Sequence, residues 1–322
     1  MITVLQLVGG LVLLLFGAEY LVRGAVSIAR HLKVPPMVIG MTIVAYGTTS
    51  PELVVSLQAA IEGLPGISIG NVVGSNIANI LLILGTSAVI FPVVVHPRDL
   101  QRDAAVMMGS ALLFTALALS GTIERWQGIL MVAALVVFTV YAFVSERRRR
   151  HADGPALLAE EFKEVPQKTW LALLSVLGGI VAVMAGAKLL VSAAIVTARY
   201  FGVGEEVIGL TIVAVGTSLP ELATGMVAAY RRHSAVAVGN ILGANIYNLL
   251  AIIGLVAVVK PLDVPPQILS FDLWFMLAVT FVLLAFLLLR SGISRGVGLM
   301  FLITFAAYTA LQYHGVEKFF PR

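Results

Sequence analysis

Ten apolar segments run through the sequence, at roughly 3–22, 36–58, 67–92, 104–121, 126–144, 170–196, 206–229, 236–258, 269–289 and 296–313, separated by charged or turn residues. Most are longer than the about 20 residues that take a helix across a ~30 Å hydrocarbon core. A water-soluble domain has too little interior to bury them all. The mean hydropathy is +1.00. Only 12% of residues are Asp, Glu, Lys or Arg, against about 25% in ordinary soluble domains. Disorder is excluded too, since it requires low hydrophobicity and high charge. The expectation is an all-α membrane protein set in a lipid bilayer. Without cysteine, disulfides, thiol catalysis and Cys-based zinc sites are excluded. The net charge of +4 does not point to nucleic acid, because the basic residues are scattered through short loops rather than gathered on one polar face.

The basic residues orient the chain. Odd-numbered loops hold fifteen: Arg23, Arg30, Lys33, Arg98, Arg102, Arg147 to Arg150, Lys163, Lys168, Arg231, Arg232, Arg290 and Arg295. Even-numbered loops and the termini hold five: Arg125, Arg199, Lys260, Lys318 and Arg322. Cytoplasmic loops carry the excess of Lys and Arg. Both termini are therefore expected outside, and the hydrophilic stretch 145–169 inside, in a multi-pass protein of the plasma (inner) membrane. The Arg147–Arg150 run reads as a topology signal, with anionic-lipid binding as the alternative. The first segment has no basic residue before it and is followed by Arg23, which does not fit a cleaved signal peptide.

An internal repeat constrains the fold further. Residues 38–55, VIGMTIVAYGTTSPELVV, match 207–224, VIGLTIVAVGTSLPELAT, and GNVVGSNIANILLILG at 70–85 matches GNILGANIYNLLAIIG at 239–254. Both pairs share an offset of 169 without a gap, and 23 of the 48 positions from 38 to 85 are identical. Apolar bias can match Val with Ile. It does not match Gly, Asn, Thr, Pro and Glu. The expected organisation is a five-helix repeat over 1–144, a cytoplasmic linker over 145–169 and a second five-helix repeat over 170–322. Five is odd, so the second repeat enters the membrane from the opposite side. Two inverted repeats, ten transmembrane helices in all, suit a secondary transporter with its site near the bilayer midplane.

Most of the acids fall in loops or at span ends, but Glu52 and Glu221 lie inside spans at equivalent positions. An ionisable group at that depth is costly and marks a functional site by default. Each follows a proline, in GTTSPE at 47–52 and GTSLPE at 216–221. Proline lacks an N–H and clashes with the carbonyl four residues back, so these helices should break. Carbonyls from Ala45 to Thr48, and from Ala214 to Thr217, are then expected to face a cation. The hydroxyls of Thr48, Thr49, Thr217 and Ser218 lie within a turn of the break. The next span of each half adds Asn76 and Asn79, and Asn245 and Asn248, three residues apart and so close on one helix face. Carboxylate, carbonyl, hydroxyl and amide oxygens suit hard cations such as Ca²⁺ and Na⁺ rather than zinc or copper. His31, His96, His151, His233 and His314 fall in loops or at interfaces.

With these motifs, GTTSPEL and VGSNIANI in the first half and GTSLPEL and LGANIYNL in the second, the sequence resembles the sodium/calcium exchanger branch of the cation/Ca²⁺ antiporter superfamily. The resemblance implies Ca²⁺ bound by Glu52, Glu221 and backbone oxygens at Thr48 and Thr217. It implies Na⁺ bound by the glutamates with Ala45, Thr49, Ser75, Ala214, Ser218 and neighbouring backbone, with Asn79 and Asn248 flanking the centre. Two departures stand out: Asn248 lies where many prokaryotic relatives carry Asp, and Ala244 lies where the first repeat has Ser75. The implied function is antiport of Ca²⁺ against Na⁺ by alternating access, with no enzymatic activity and no cofactor. Its partners are inorganic cations and the bilayer. A monomer suffices for transport, and the oligomeric state is left open. A Ca²⁺/H⁺ antiporter is the alternative, because a desolvated carboxyl takes up a proton readily. A cation channel is the rival from another class.

Overall fold

In lipid every backbone N–H and C=O must be satisfied within the protein, which leaves the helix as the economical form for an apolar run. The computed structural model describes residues 2–32, 36–95, 97–153, 168–200, 214–290 and 292–314, and these are mostly helical. The helices are α1 (Ile2–Leu32), α2 (36–48), α3 (Ser50–Ile61), α4 (Pro65–Ile90), α5 (Pro97–Ala118), α6 (Arg125–Asp153), α7 (Thr169–Tyr200), α8 (Ala214–Thr217), α9 (Leu219–Tyr230), α10 (Ser234–Val259), α11 (Ile268–Leu289) and α12 (Arg295–His314). Among the described residues, six helices are long and apolar enough to cross a membrane: α1, α4, α6, α7, α10 and α11. Proline starts α4, where its missing N–H costs nothing, and Gly63 closes α3 with φ +81°. Residues 145–153, expected as the start of the linker, continue α6; residues 154–167 of that linker lie outside the described residues.

The chain divides into two compact units, one of Met1–Pro51 with Thr139–Asn240 and the other of Glu52–Phe138 with Ile241–Arg322. Each draws on both sequence repeats. In the first unit α1 and α7 lie antiparallel along a seam of small residues: Gly10 meets Gly186, Gly17 meets Val183 and Gly24 meets Ala172 and Val176. The spacing of seven, two helical turns, keeps these residues on one face. Small residues at such a seam let backbones approach closely, the usual means of helix association in lipid. A Cβ on Gly179 would lie 2.7 Å from the Leu21 N–H nitrogen and 2.8 Å from the Gly17 oxygen, so no larger residue fits without separating the helices. The offset of 169 relates Gly10 to Gly179 and Gly17 to Gly186. Within the seam, Leu14 and Ala18 pack with Val183 and Ala187 of α7 and with Ala223 of α9. Glu19 on α1 pairs with Arg23 and with Arg231 just beyond α9.

The second unit repeats the same relationship with other elements. Four two-residue strands are β1 (Val93–Val94), β2 (Thr122–Ile123), β3 (Leu262–Asp263) and β4 (Gly292–Ile293). β1 pairs antiparallel with β4, and β2 with β3. The repeat offset maps β1 onto β3, and β2 to within a residue of β4, so each strand pairs with the counterpart of the other's partner. Two glycine contacts follow the same exchange: Gly85 of α4 packs on Gly298 of α12, and Gly254 of α10 packs on Gly128 of α6. A buried acid, Asp272 on α11, accepts hydrogen bonds from Tyr308 (2.9 Å) and Gln312 of α12.

Candidate cation site

The proline signal marks a break in both repeats. Helix α2 ends at Thr49 (φ −83°, ψ 2°) and α8 ends at Ser218 (φ −88°, ψ 5°), positions related by 169, before α3 and α9 resume. Pro51 and Pro220 have no N–H to give, so the carbonyls of Gly47 and Gly216 lose their i+4 donors. The release is narrower than the sequence suggests. The Ala45 carbonyl keeps its helical role, accepting from the Thr49 N–H at 2.9 Å. It also accepts from the hydroxyls of Thr49 (2.7 Å) and Thr48 (3.3 Å). Each hydroxyl proton is thereby spent, and each hydroxyl oxygen keeps lone pairs for another group.

Within the first unit, the end of α2 packs on α9. Glu221 of α9 is wholly buried. The Thr48 side chain faces its carboxylate. Neither carboxylate oxygen has a hydrogen-bond partner among the described residues. A buried charge with no partner is among the costliest features a fold can carry. Thr49, Thr217 and Ser218 are buried around the same breaks. Ala214 opens α8, but its side chain lies outside the described residues.

The second unit holds the rest. Glu52, Ser75, Asn79 and Asn248 are all buried. The α3–α4 hairpin is tied by Asn71, which donates to the Ser56 hydroxyl (2.9 Å) and to the Glu52 carbonyl (3.3 Å), while Ser56 donates to the Ser68 carbonyl (3.3 Å). Asn79 opens a π-helical stretch, Asn79–Leu84, and Asn248 lies at the start of its counterpart, Tyr247–Ile253. Such wide turns are frequent at functional sites. Asn79 donates to the Asn245 side chain at 2.9 Å. Both polar atoms of the Asn248 amide lack a partner among the described residues.

Two further buried acids escaped the sequence reading. Asp272 lies inside the expected span 269–289, and its counterpart Asp103 on α5 is ion-paired with Arg102 (2.6 Å). The same offset of 169 connects them and would have found them; the surrounding residues match too weakly to draw attention. Unlike Glu221, both are satisfied by protein donors. His31 bonds the Ser27 carbonyl of its own helix at 2.8 Å, a structural role.

Known proteins bear on this arrangement. The family model described as sodium/calcium exchanger protein matches residues 2–144 and 171–314. The putative antiporter CaxA of Alkalimonas amylolytica is 37% identical over 310 residues, covering 94% of this chain and 96% of that protein. The sodium/calcium exchanger MaX1 of Methanosarcina acetivorans is 33% identical, covering 98% of this chain and 100% of that protein. A structure of the sodium-calcium exchanger NCX_Mj, soaked with 2.5 mM Na⁺ and 10 mM Sr²⁺, superposes with a TM-score of 0.84 at 29% identity, over 96% of this chain and 99% of that one. The broken helices, the buried carboxylates and these likenesses agree: the chain is a multi-pass membrane protein and belongs to the sodium/calcium exchanger family.

Proposed function

We propose that this cation exchanger is a secondary antiporter moving Ca²⁺ against Na⁺ by alternating access at an all-oxygen midplane site. The observation that carries the reading is Glu221, a fully buried carboxylate whose two oxygens have no hydrogen-bond partner among the described residues. Such a group calls for a cation or a proton. In this reading Glu52 and Glu221, with backbone oxygens at Thr48 and Thr217, hold Ca²⁺. Na⁺ uses the glutamates with Ala45, Thr49, Ser75, Ala214, Ser218 and nearby backbone, and Asn79 and Asn248 flank the centre. The hydroxyls of Thr48 and Thr49 fit, since both give their protons to Ala45 and keep oxygen lone pairs. Two carboxylates neutralise one Ca²⁺. Three Na⁺ on the same charges leave +1, which makes three-for-one exchange electrogenic. Carboxylates too costly to cross empty make transport obligatory exchange.

The reading also takes the chain as ten spans in two inverted halves, 1–144 and 170–322, joined by 145–169. It places both termini outside and that linker inside, in the plasma (inner) membrane, with one monomer sufficient. The antiparallel course of the equivalent helices α1 and α7 and the crossed strand pairs support the inversion. Ala244, fully buried, favours a second reading, Ca²⁺/H⁺ antiport, because it lacks the hydroxyl of Ser75. Radiolabelled Ca²⁺ flux into proteoliposomes, with Na⁺ and H⁺ gradients imposed separately, decides. Flux driven by Na⁺ at fixed pH supports the proposal. Flux driven only by H⁺ overturns it in favour of the second reading.

A further inference from the structure

Asn76 and Asn245 occupy equivalent positions in the two repeats, one turn before Asn79 and Asn248. All four are buried to within 1% exposure and all belong to the second unit, yet the two pairs do different things. The Asn245 side chain bridges α10 to α4. Its Oδ1 accepts from Asn79 Nδ2 at 2.9 Å, and its own Nδ2 donates to the Asn76 carbonyl at 3.3 Å. Asn76 does not return the favour. Its amide donates within its own helix, to the Val72 carbonyl at 2.8 Å, and Asn248 is left with both polar atoms unpartnered among the described residues. One of two bridges that the repeat makes equivalent is closed, and the other is open.

The closed bridge has a chemical consequence. An amide whose NH₂ is held by an acceptor has its rotation fixed. With the nitrogen turned to Asn245, the Asn79 carbonyl oxygen points away, and that atom, Oδ1, is buried with no hydrogen-bond partner among the described residues. A buried carbonyl oxygen of this kind is costly unless something supplies a positive partner. A cation ligand needs its oxygen presented and its N–H groups directed elsewhere. The bridge does both, and it is made by a residue that need not touch the ion.

We propose that Asn245 is a positioning residue for cation binding, which orients the Asn79 amide oxygen toward the ion from the opposite repeat while Asn248 has no such support. This rests on the reading of Asn79 as a cation ligand. A residue that hydrogen-bonds a ligand commonly fixes its orientation in this way, and its loss weakens binding without changing the ligand set.

A double-mutant cycle tests it. Asn245→Ala, Asn79→Ala and the double variant are reconstituted, and Ca²⁺ exchange is measured against Ca²⁺ and Na⁺ concentration. Loss of one orienting hydrogen bond should raise the half-saturating Ca²⁺ concentration of Asn245→Ala about five-fold, with the maximal rate within about two-fold of the parent. In the Asn79→Ala background the same substitution should have no further effect. If Asn245→Ala gives too little folded protein, Asn245→Ser is carried through the same cycle. Equal factors in the two backgrounds, or a loss confined to the maximal rate, overturn the positioning role while leaving Asn79 as a ligand. If Asn79→Ala alone keeps parental Ca²⁺ and Na⁺ dependence, the ligand reading fails, and the proposal fails with it.

Discussion

Glu221→Gln is the substitution that separates a cation ligand from a structural acid. The side chain keeps its shape, and one unpartnered buried polar group replaces another, so the ion-free protein should fold and remain in the membrane with nearly its parental stability. What changes is charge. Two unit charges 4 Å apart attract by about 4 kcal/mol at an effective dielectric of about 20. A divalent ion doubles this, and direct Ca–O contact at about 2.3–2.6 Å increases it. Desolvation of ion and carboxylate takes back a large part. A net loss of about 4 kcal/mol remains, which is about a thousand-fold in Ca²⁺ affinity. The assay is thermal unfolding in detergent with and without Ca²⁺. An ion at 100 times its Kd stabilises by about 2.7 kcal/mol; at the same concentration the variant should show almost no stabilisation. Radiolabelled Ca²⁺ exchange in proteoliposomes should fall to background in parallel. A variant that keeps the parental Ca²⁺-dependent shift and exchanges Ca²⁺ would refute the reasoning, because a ligand carrying half the site's charge cannot be neutralised silently.

Three further outcomes follow from other parts of the molecule. Ala244→Ser adds one neutral oxygen at the counterpart of Ser75; it should lower the half-saturating Na⁺ concentration roughly five-fold, or steepen the Na⁺ dependence, with little effect on Ca²⁺. Identical Na⁺ curves for the two proteins would remove the reason for singling out that position. Gly179→Ala should cost about 1–3 kcal/mol by prising α1 from α7, whereas Gly178→Ala, with nothing within 4 Å of its added Cβ, should melt with the parent; equal melting of the two would show that the seam is not close-packed. Asp153→Cys introduces a single thiol into a chain with no cysteine. In intact right-side-out cells an impermeant thiol reagent should leave it unlabelled until permeabilisation, and labelling from outside would reverse the orientation.

Much of this was legible in the sequence because polar residues inside an apolar chain have few reasons to be there. Pro51 and Pro220 predict the breaks at Thr49 and Ser218, since a missing N–H acts locally and needs no tertiary context. Glu52 and Glu221 stand out by cost. The interruption's fine structure was not legible. Pro51 fixes the loss at Gly47, but that the Ala45 carbonyl keeps its helical partner and also takes the Thr48 and Thr49 hydroxyls is not written in the same letters. Nor does the sequence show that Asp103 and Asp272 are paired off inside the protein, because their partners Arg102, Tyr308 and Gln312 sit at unremarkable positions. The two units cut across the two repeats for a related reason: equivalent helices such as α1 and α7 complement one another through the glycine seam, and a repeat boundary carries no information about such pairing.

The offset of 169 also exposes a consistent divergence between the halves. Three buried serines of the first repeat, Ser56, Ser68 and Ser75, are replaced by Gly225, Ala237 and Ala244, which are buried as well. The hydrogen bonds change accordingly. Asn71 donates to the Ser56 hydroxyl, while its counterpart Asn240, with glycine at the position equivalent to Ser56, has neither polar side-chain atom partnered among the described residues. Asn79 is held by Asn245, while Asn248 is held by nothing among the described residues. Glu221 belongs to the same series. Orphaned polar groups in a buried setting raise the energy of the empty protein, and whatever supplies their missing partners is bound more tightly for it. Glu221, Asn240 and Asn248 of the second repeat are therefore groups that depend on a bound cation or ordered water. A Gly225→Ser substitution, which offers Asn240 the hydroxyl that Asn71 already has, should stabilise the protein by about 1 kcal/mol with and without Ca²⁺. Unchanged melting in both conditions would show that the divergence is neutral drift.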